Sequence, residues 1–509
     1  MSKIDRIVLI VSLLTVLAGG LVAGRVFDRM AHLEDEFAYL WQARVIARGD
    51  LTIPSPEFDS SFLVPFVVDH QGQRFGKYPL GWPVMLSLGV RADIEHWINP
   101  LLGGMAVWLT YRLGKRFFGE AAGLLAAVLT GLSPIFLIQS GSLLSHNWSL
   151  LLSVTFMLSW LDMNEQGSQR LSAVSWLPTA LAGASLGVLG LTRPMTMAAL
   201  ALPFGVHGLF RIFSRDGELR RKTAWVGVIA LLIASLHFVW QRAVTGSFTL
   251  NPYTLWWPYD RLGFGEGIGV KAGGHNLRQA WWNTKHSLRS GLSDLFGWAK
   301  FSWILLPPGL WAARKRKETY LLLGFFFSLV FFYMAYWVGS WLLGPRYYYE
   351  ALPGLSVLSA AGIFWLAGWP INPGKNFPDF RKRLRTRPLV IFALVGGLLF
   401  INLRFYLPAR LASLQGLYTI ERSDTSLFRS EEANRITPAL IIVHSEEWMS
   451  YGSLQQLSSP YQDSPMIFAW NMGPQTDRRL TEAYRDQRSV YHYYPNRFPE
   501  RLFSAPLQE

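Results

Sequence analysis

Three consecutive carboxylates, Glu34-Asp35-Glu36, stand just beyond the first apolar stretch of the chain. Acids in a row repel one another, and at the edge of an apolar phase at least one is driven toward a higher pKa, as a general base requires. The same residues also suit the first turn of a helix, where carboxylates meet unpaired N–H groups and the positive end of the dipole. A general base among the three and a helix cap are therefore both open readings. A base needs cations nearby if the group that leaves is a phosphate, because charge developing there must be neutralised. Lys77, Arg193 and Arg346 are the candidates. Arg346 lies in Gly344-Pro345-Arg346-Tyr347-Tyr348-Tyr349-Glu350, a guanidinium among three tyrosines. Interfacial anchoring explains the tyrosines as well as a site does, and explains the arginine less well.

A second segment, Asn251-Pro252-Tyr253-Thr254-Leu255-Trp256-Trp257-Pro258-Tyr259-Asp260-Arg261, mixes aromatic faces with polar edges. Sugar rings use that mixture for stacking and hydrogen bonding, and membrane interfaces use it for anchoring. Trp256, Trp257 and Tyr259, with Tyr78 and Tyr347, are the candidate substrate-contacting aromatics. The neighbouring Gly263-Phe264-Gly265-Glu266-Gly267-Ile268-Gly269 lacks the strand and helix that would make it a dinucleotide loop and reads as a flexible connection. His96, His146, His275 and His286 lack metal-ligand spacing, so zinc is not expected, and a divalent ion is left open. There is no cysteine, which excludes disulfides and thiol nucleophiles.

The elements that must position these residues are membrane spans. Half of the 509 residues are hydrophobic, 22 are Trp and 33 Phe, and 16% are charged, too apolar and aromatic for an ordinary soluble enzyme. Apolar runs of the roughly 20 residues a bilayer requires number about eleven. They lie near 7–24, 96–112, 119–138, 146–162, 176–192, 194–210, 224–241, 299–313, 319–342, 352–369 and 389–407. The first reads as a retained span, not a cleaved signal. Basic residues fall in alternate loops: Arg112/Lys115/Arg116, Arg170, Arg211 to Lys222, Arg314 to Lys317, and Lys375 to Arg387. This places the N-terminus inside, with Arg193 and Arg346 as exceptions on the outside. The formal charge of +14 sits between spans, not on one folded face, so no nucleic-acid partner is expected.

Three external segments remain, 25–95, 242–298 and 408–509. The first carries a helix around Glu36–Arg48 and a short apolar segment, Val84–Val90, too short to span. The tail alternates strand-like runs (Ala439–Val443, Met466–Trp470, Ser489–Tyr494) with a polar helical one (Thr476–Gln487), which predicts a small α/β domain.

The order of one span, an Asp-Glu pair, a helix, Gly49-Asp50-Leu51, and Lys77-Tyr78-Pro79-Leu80 before the next apolar run resembles the protein O-mannosyltransferase and aminoarabinose lipid A transferase superfamily. The likeness is clearest over residues 1–210, weakens to about 407 and does not extend to the tail. It implies an all-α polytopic GT-C fold, residues 1–407, and an inverting transfer from a polyprenyl-phosphate sugar on the non-cytoplasmic face. By position it assigns Asp35 as the catalytic base with Glu36 beside it, and Lys77 and Arg346 to the donor phosphate, with Arg193 a weaker third. Two departures stand out: Tyr78 replaces a usual proline, and Ser145-His146-Asn147 stands where many members have a second aspartate. The expected setting is a bacterial cytoplasmic membrane, with its lipids as surroundings and a lipid, glycan or protein as acceptor. The rival is a transporter or flippase of a lipid-linked sugar, which would show internal repeats and charges within interrupted spans; neither is evident.

Overall fold

The computed structural model describes residues 2–165, 173–369, 371, 386–497 and 500–507. The expected basic positions Arg170, Lys375, Arg381, Lys382, Arg383 and Arg385 lie outside the described residues. A helix lies within each expected apolar run, although α14 stops at Tyr333, short of the expected 342: α1 (Lys3–Arg25), α4 (Glu95–Phe118), α5 (Glu120–Gly131) with α6 (Pro134–Gly141), α7 (His146–Glu165), α8 (Ala173–Thr192), α9 (Pro194–Ile212), α10 (Gly217–Thr245), α13 (Leu306–Ala313), α14 (Thr319–Tyr333), α15 (Leu352–Leu366) and a helix at Thr386–Ile401. Among the described residues five are long and apolar enough to cross a membrane, or six if α5 and α6, bent by 57°, form one span. The chain is therefore a multi-pass membrane protein. The stretch 299–313 is helical only from Leu306, where Pro307 and Pro308 can open a helix but not continue one.

Close helix crossings depend on small residues. A Cβ at Gly309 would stand 2.0 Å from the Leu358 carbonyl, and one at Gly362 would stand 2.5 Å from that of Leu305. The α13–α15 contact is thus backbone against backbone, as at small-residue crossings in membranes.

Charges sort to the two ends of the helices. At one end Lys115 pairs with Asp5 and Glu120, and Arg116 with Asp162 and Glu165. At the other end the segment 25–95 forms α2 (Glu34–Ala47), a three-stranded antiparallel sheet, and α3 (Gly81–Arg91). The sheet contains β1 (Ile53–Pro54), β2 (Val67–His70) and β3 (Gln73–Gly76), in the order β1-β3-β2. The segment 252–294 adds α11 (Pro252–Trp256) and α12 (Leu277–Asp294).

The tail lies against this end. Its strands β4 (Ala439–Val443), β5 (Met466–Trp470), β6 (Ser489–Tyr493) and β7 (Leu502–Phe503) run in the order β5-β4-β6-β7. The first three are parallel, and a helix, Pro474–Tyr484, precedes β6. Every residue of β4 is buried, because its two faces serve different cores. Ile441 and Val443 meet Phe428, Phe468 and Tyr493, whereas Leu440 and Ile442 meet Phe58 and Phe62 of the first external segment. Gln456 donates to and accepts from the Ala31 backbone, so the tail also holds the stretch leading into α2.

Candidate active site

α2 begins where sequence chemistry would begin it. Its first turn holds all three acids, yet its N-cap is Leu33, whose side chain cannot accept a hydrogen bond. Glu36 supplies the acceptor instead. Its Oε2 takes the backbone N–H of His32 (2.9 Å) and Leu33 (3.0 Å), and its Oε1 reaches across to the N–H of Leu143 (2.7 Å). Trp82 Nε1 donates to the Leu143 carbonyl, and Asn99 Nδ2 to those of Ser142 and Leu144. The buried Glu36 carboxylate therefore ties the start of α2 to the α6–α7 connection. Glu36→Ala would leave three buried donors unpaired, at about 1–3 kcal/mol each. The midpoint of thermal unfolding in detergent should fall clearly, with Glu36→Gln recovering part of the loss because an amide keeps one acceptor oxygen.

Asp35 points the other way. Arg346 Nη1 lies 3.2 Å from its Oδ2, and the Tyr78 hydroxyl donates to its Oδ1. Partial burial on its own would raise the carboxyl, but the Arg346 guanidinium, the Tyr78 hydroxyl and the Lys77 ammonium together hold it below the usual carboxylate range. Glu34 is displaced upward, first by burial and then by the Asp35 charge. Asp35 and Arg346 keep 27% and 19% of their side chains exposed. They open onto a cleft of about 380 Å³ whose walls include Glu34, Ser340, Trp341 and Tyr418.

Lys77 lies in a closed compartment beside this pair. Its Nζ is 3.1 Å from Asp260 Oδ2, 3.5 Å from the centre of the Phe66 ring and 5.0 Å from that of Trp257. Burial draws the ammonium below its ordinary pKa, while Asp260 and Asp35 oppose this. Trp337 Nε1 donates to the other Asp260 oxygen (3.1 Å). Tyr259 stacks on Trp257 and meets Trp337 edge-on. Trp256 turns instead toward Phe66 and the cluster of Val68, Phe75, Trp240 and Val244.

Arg193 is not at Asp35. It closes a second buried group, with Nε 3.3 Å from Glu350 Oε1, Nη2 donating to the Tyr333 hydroxyl (2.8 Å), and Nη1 facing His146 and Ser145. Tyr347, stacked on Tyr333 at 4.6 Å, stands between the two groups: the Arg346 and Arg193 guanidinium carbons lie 5.6 and 6.0 Å from its ring centre. In the stretch Ser145-His146-Asn147, where the resemblance implies a second aspartate, Asn147 donates to the Asn99 carbonyl and to Ser140, and accepts from the Tyr349 hydroxyl. Among the described residues no three of His, Asp and Glu converge as ligands.

The residues that sequence reasoning passed over are Asp260, Glu350, Tyr333 and Trp337. Asp260 and Glu350 lie inside the two quoted motifs, and the demand of a buried cation for a counter-charge was the signal that could have singled them out.

Residues 91–206 match the family model described as Oligosaccharyl transferase STT3, N-terminal. A comparison with curated proteins finds no match. Among solved structures, the chain is similar to ArnT from Cupriavidus metallidurans bound to undecaprenyl phosphate, with 15% identity, 94% of this chain and 89% of that chain covered, and a TM-score of 0.55. The apo state of the same protein gives 14%, 95%, 92% and 0.56. The archaeal oligosaccharyltransferase AglB from Archaeoglobus fulgidus, in complex with an inhibitory peptide and a dolichol-phosphate, gives 12%, 95%, 69% and 0.50. The helices and their order, together with these likenesses, show that the chain shares the fold of these membrane-protein structures.

Proposed function

We propose that this chain is an inverting membrane glycosyltransferase. It moves a sugar from a polyprenyl-phosphate donor to an acceptor hydroxyl on the non-cytoplasmic face of a bacterial cytoplasmic membrane. One observation carries the reading: Asp35, held ionised by Arg346 and Tyr78, opens to a cleft in a fold shared with a protein crystallised with undecaprenyl phosphate. In the transfer, the acceptor oxygen bonds to the anomeric carbon from the side opposite the phosphate and gives its proton to Asp35. The carbon–oxygen bond to the phosphate breaks, and its electron pair leaves on the polyprenyl phosphate. A phosphate needs no acid to leave, only positive charge beside it. Arg346 supplies that charge first, Lys77 joins it by exchanging Asp260 for the donor phosphate, and Arg193 backs the site through Tyr347. Glu36 holds α2 in place, and Tyr78, Tyr347, Trp257 and Tyr259 line the path of the sugar, with Trp256 bracing that wall from behind.

In this reading the eleven apolar runs cross the membrane within a catalytic part, 1–407, and the basic end of the helices is cytoplasmic. Residues 408–509 form an external domain over the site. The concentration of unusual charges at one end of the helices favours chemistry at a surface over passage through the bilayer, which a transporter or flippase would need. The test is release of free polyprenyl phosphate from a panel of polyprenyl-phosphate sugars by the purified protein supplied with membrane extract. Release with one donor establishes the reaction and names the sugar. If no donor yields product, while a labelled lipid-linked sugar crosses proteoliposomes containing the protein, the transporter takes its place.

A further inference from the structure

We propose that the cleft in front of Asp35 is the acceptor subsite, and that it is built for an uncharged carbohydrate carrying the attacking hydroxyl, not for a phosphorylated acceptor. This rests on the transferase reading above and specifies its second substrate.

Charge is the first argument. The cleft presents two carboxylates, Glu34 and Asp35, and one lining cation, Arg346, which Asp35 already engages. The other polar ring in the wall, His32, has both nitrogens turned to backbone carbonyls, of Met30 and Ile420, each at 3.1 Å. Arg410 reaches the wall from behind at the Leu342 carbonyl, but Asp294 holds its guanidinium with contacts of 3.1 and 3.2 Å. A phosphate on the acceptor would meet the carboxylates Glu34 and Asp35, while Arg346, the lining cation, is committed to Asp35 and to the phosphate of the donor, an arrangement that selects against a second phosphate by repulsion.

Shape is the second. Trp341 and Tyr418 flank the cleft with 40% and 46% of their surface exposed. Trp341 packs one side edge-on against Trp282, with ring centres 5.3 Å apart. It lies so close over Gly339 that a Cβ there would come within 2.1 Å of the indole. Tyr418 and the following Thr419 both adopt left-handed backbone conformations, φ 57° and 59°. Two adjacent non-glycine residues in that region are strained, and such strain persists where the surrounding structure requires the side chain it presents. Two held aromatic faces beside a hydrogen-bonding carboxylate, in a volume suited to a small ligand, match a sugar ring: apolar C–H faces for stacking, hydroxyls for Glu34.

The experiment compares neutral oligosaccharide glycosides, the same compounds bearing a phosphate monoester, and a serine-containing peptide as acceptors, using the donor that the wild type cleaves. The neutral glycosides should be used at least about tenfold more efficiently than their phosphorylated counterparts. Trp341→Ala should raise acceptor KM by about tenfold, the worth of one aromatic face, with most of the loss in KM and not in kcat. Gly339→Ala, which keeps the indole but displaces it, should act in the same direction. Glu34→Gln should narrow the preference for neutral over phosphorylated acceptors. Preference for the phosphorylated acceptor, use of the peptide alone, or an unchanged KM in both Trp341→Ala and Gly339→Ala would overturn the proposal. Binding of neutral oligosaccharide to purified Asp35→Asn, followed by tryptophan fluorescence, separates the two failures. Saturable binding that is weakened by the added Trp341→Ala change supports the subsite even if no donor is turned over, and absence of binding rejects it.

Discussion

Asp35→Asn should lower sugar transfer by about a thousandfold while leaving folding and donor binding close to wild type, because a positioned general base contributes roughly 10²–10⁴. The substitution is nearly isosteric. It keeps an oxygen to accept from Tyr78 and removes only the charge that receives the proton. Arg346 loses its partner but is free to hold the donor phosphate, so donor affinity should hold or rise as kcat falls. Single-turnover release of polyprenyl phosphate, with donor binding measured separately, checks this. A variant that retained more than a tenth of the activity would move the base elsewhere. Glu36 would be a poor substitute, because its two oxygens already accept three backbone N–H groups.

Arg346→Gln should be nearly as damaging, with a loss of about 10²–10³, since removing one preorganised donor from developing charge has that effect elsewhere. It also carries a signature in pH. Asp35 is the group whose ionisation the reaction needs, and its folded-state pKa is depressed, with Arg346 the largest of the lowering influences. In the wild type the carboxylate is therefore ionised throughout the neutral range, and the acidic limb of the rate profile should lie below the ordinary carboxylate value of about 4. Without Arg346, burial pushes the carboxyl upward against weaker opposition from Tyr78 and Lys77, and the limb should move to higher pH. A rate profile between about pH 4 and 8 reads this directly. A lower rate with an unmoved limb would confine Arg346 to the phosphate; no loss of rate at all would leave it a structural ion pair.

The sequence by itself determined the elements and the chemical cast. Helix positions follow from apolar runs that must satisfy their own backbone in lipid, and the tail strands from short β-branched runs bounded by turns; both are local properties. The start of α2 is likewise local, since three acids suit a helix N-terminus, and the charged residues Asp35, Lys77 and Arg346 announce themselves by standing outside the basic loops. Only the tertiary structure decided who meets whom. Lys77 finds Asp260 and Asp35 finds Arg346 across 183 and 311 residues, distances over which helix packing and loop closure, not sequence spacing, set the register. Arg193 reads like Arg346 in the sequence, yet packing sends it to Glu350 and Tyr333 in a separate buried group, because each buried cation must take the nearest counter-charge its helix can reach. The 57° bend that divides the run 119–138 and the tail residues Tyr418 and Met449 in the cleft wall are of the same kind. They arise where separately formed elements are pressed together, so the site's members were legible one at a time, and their pairing was not.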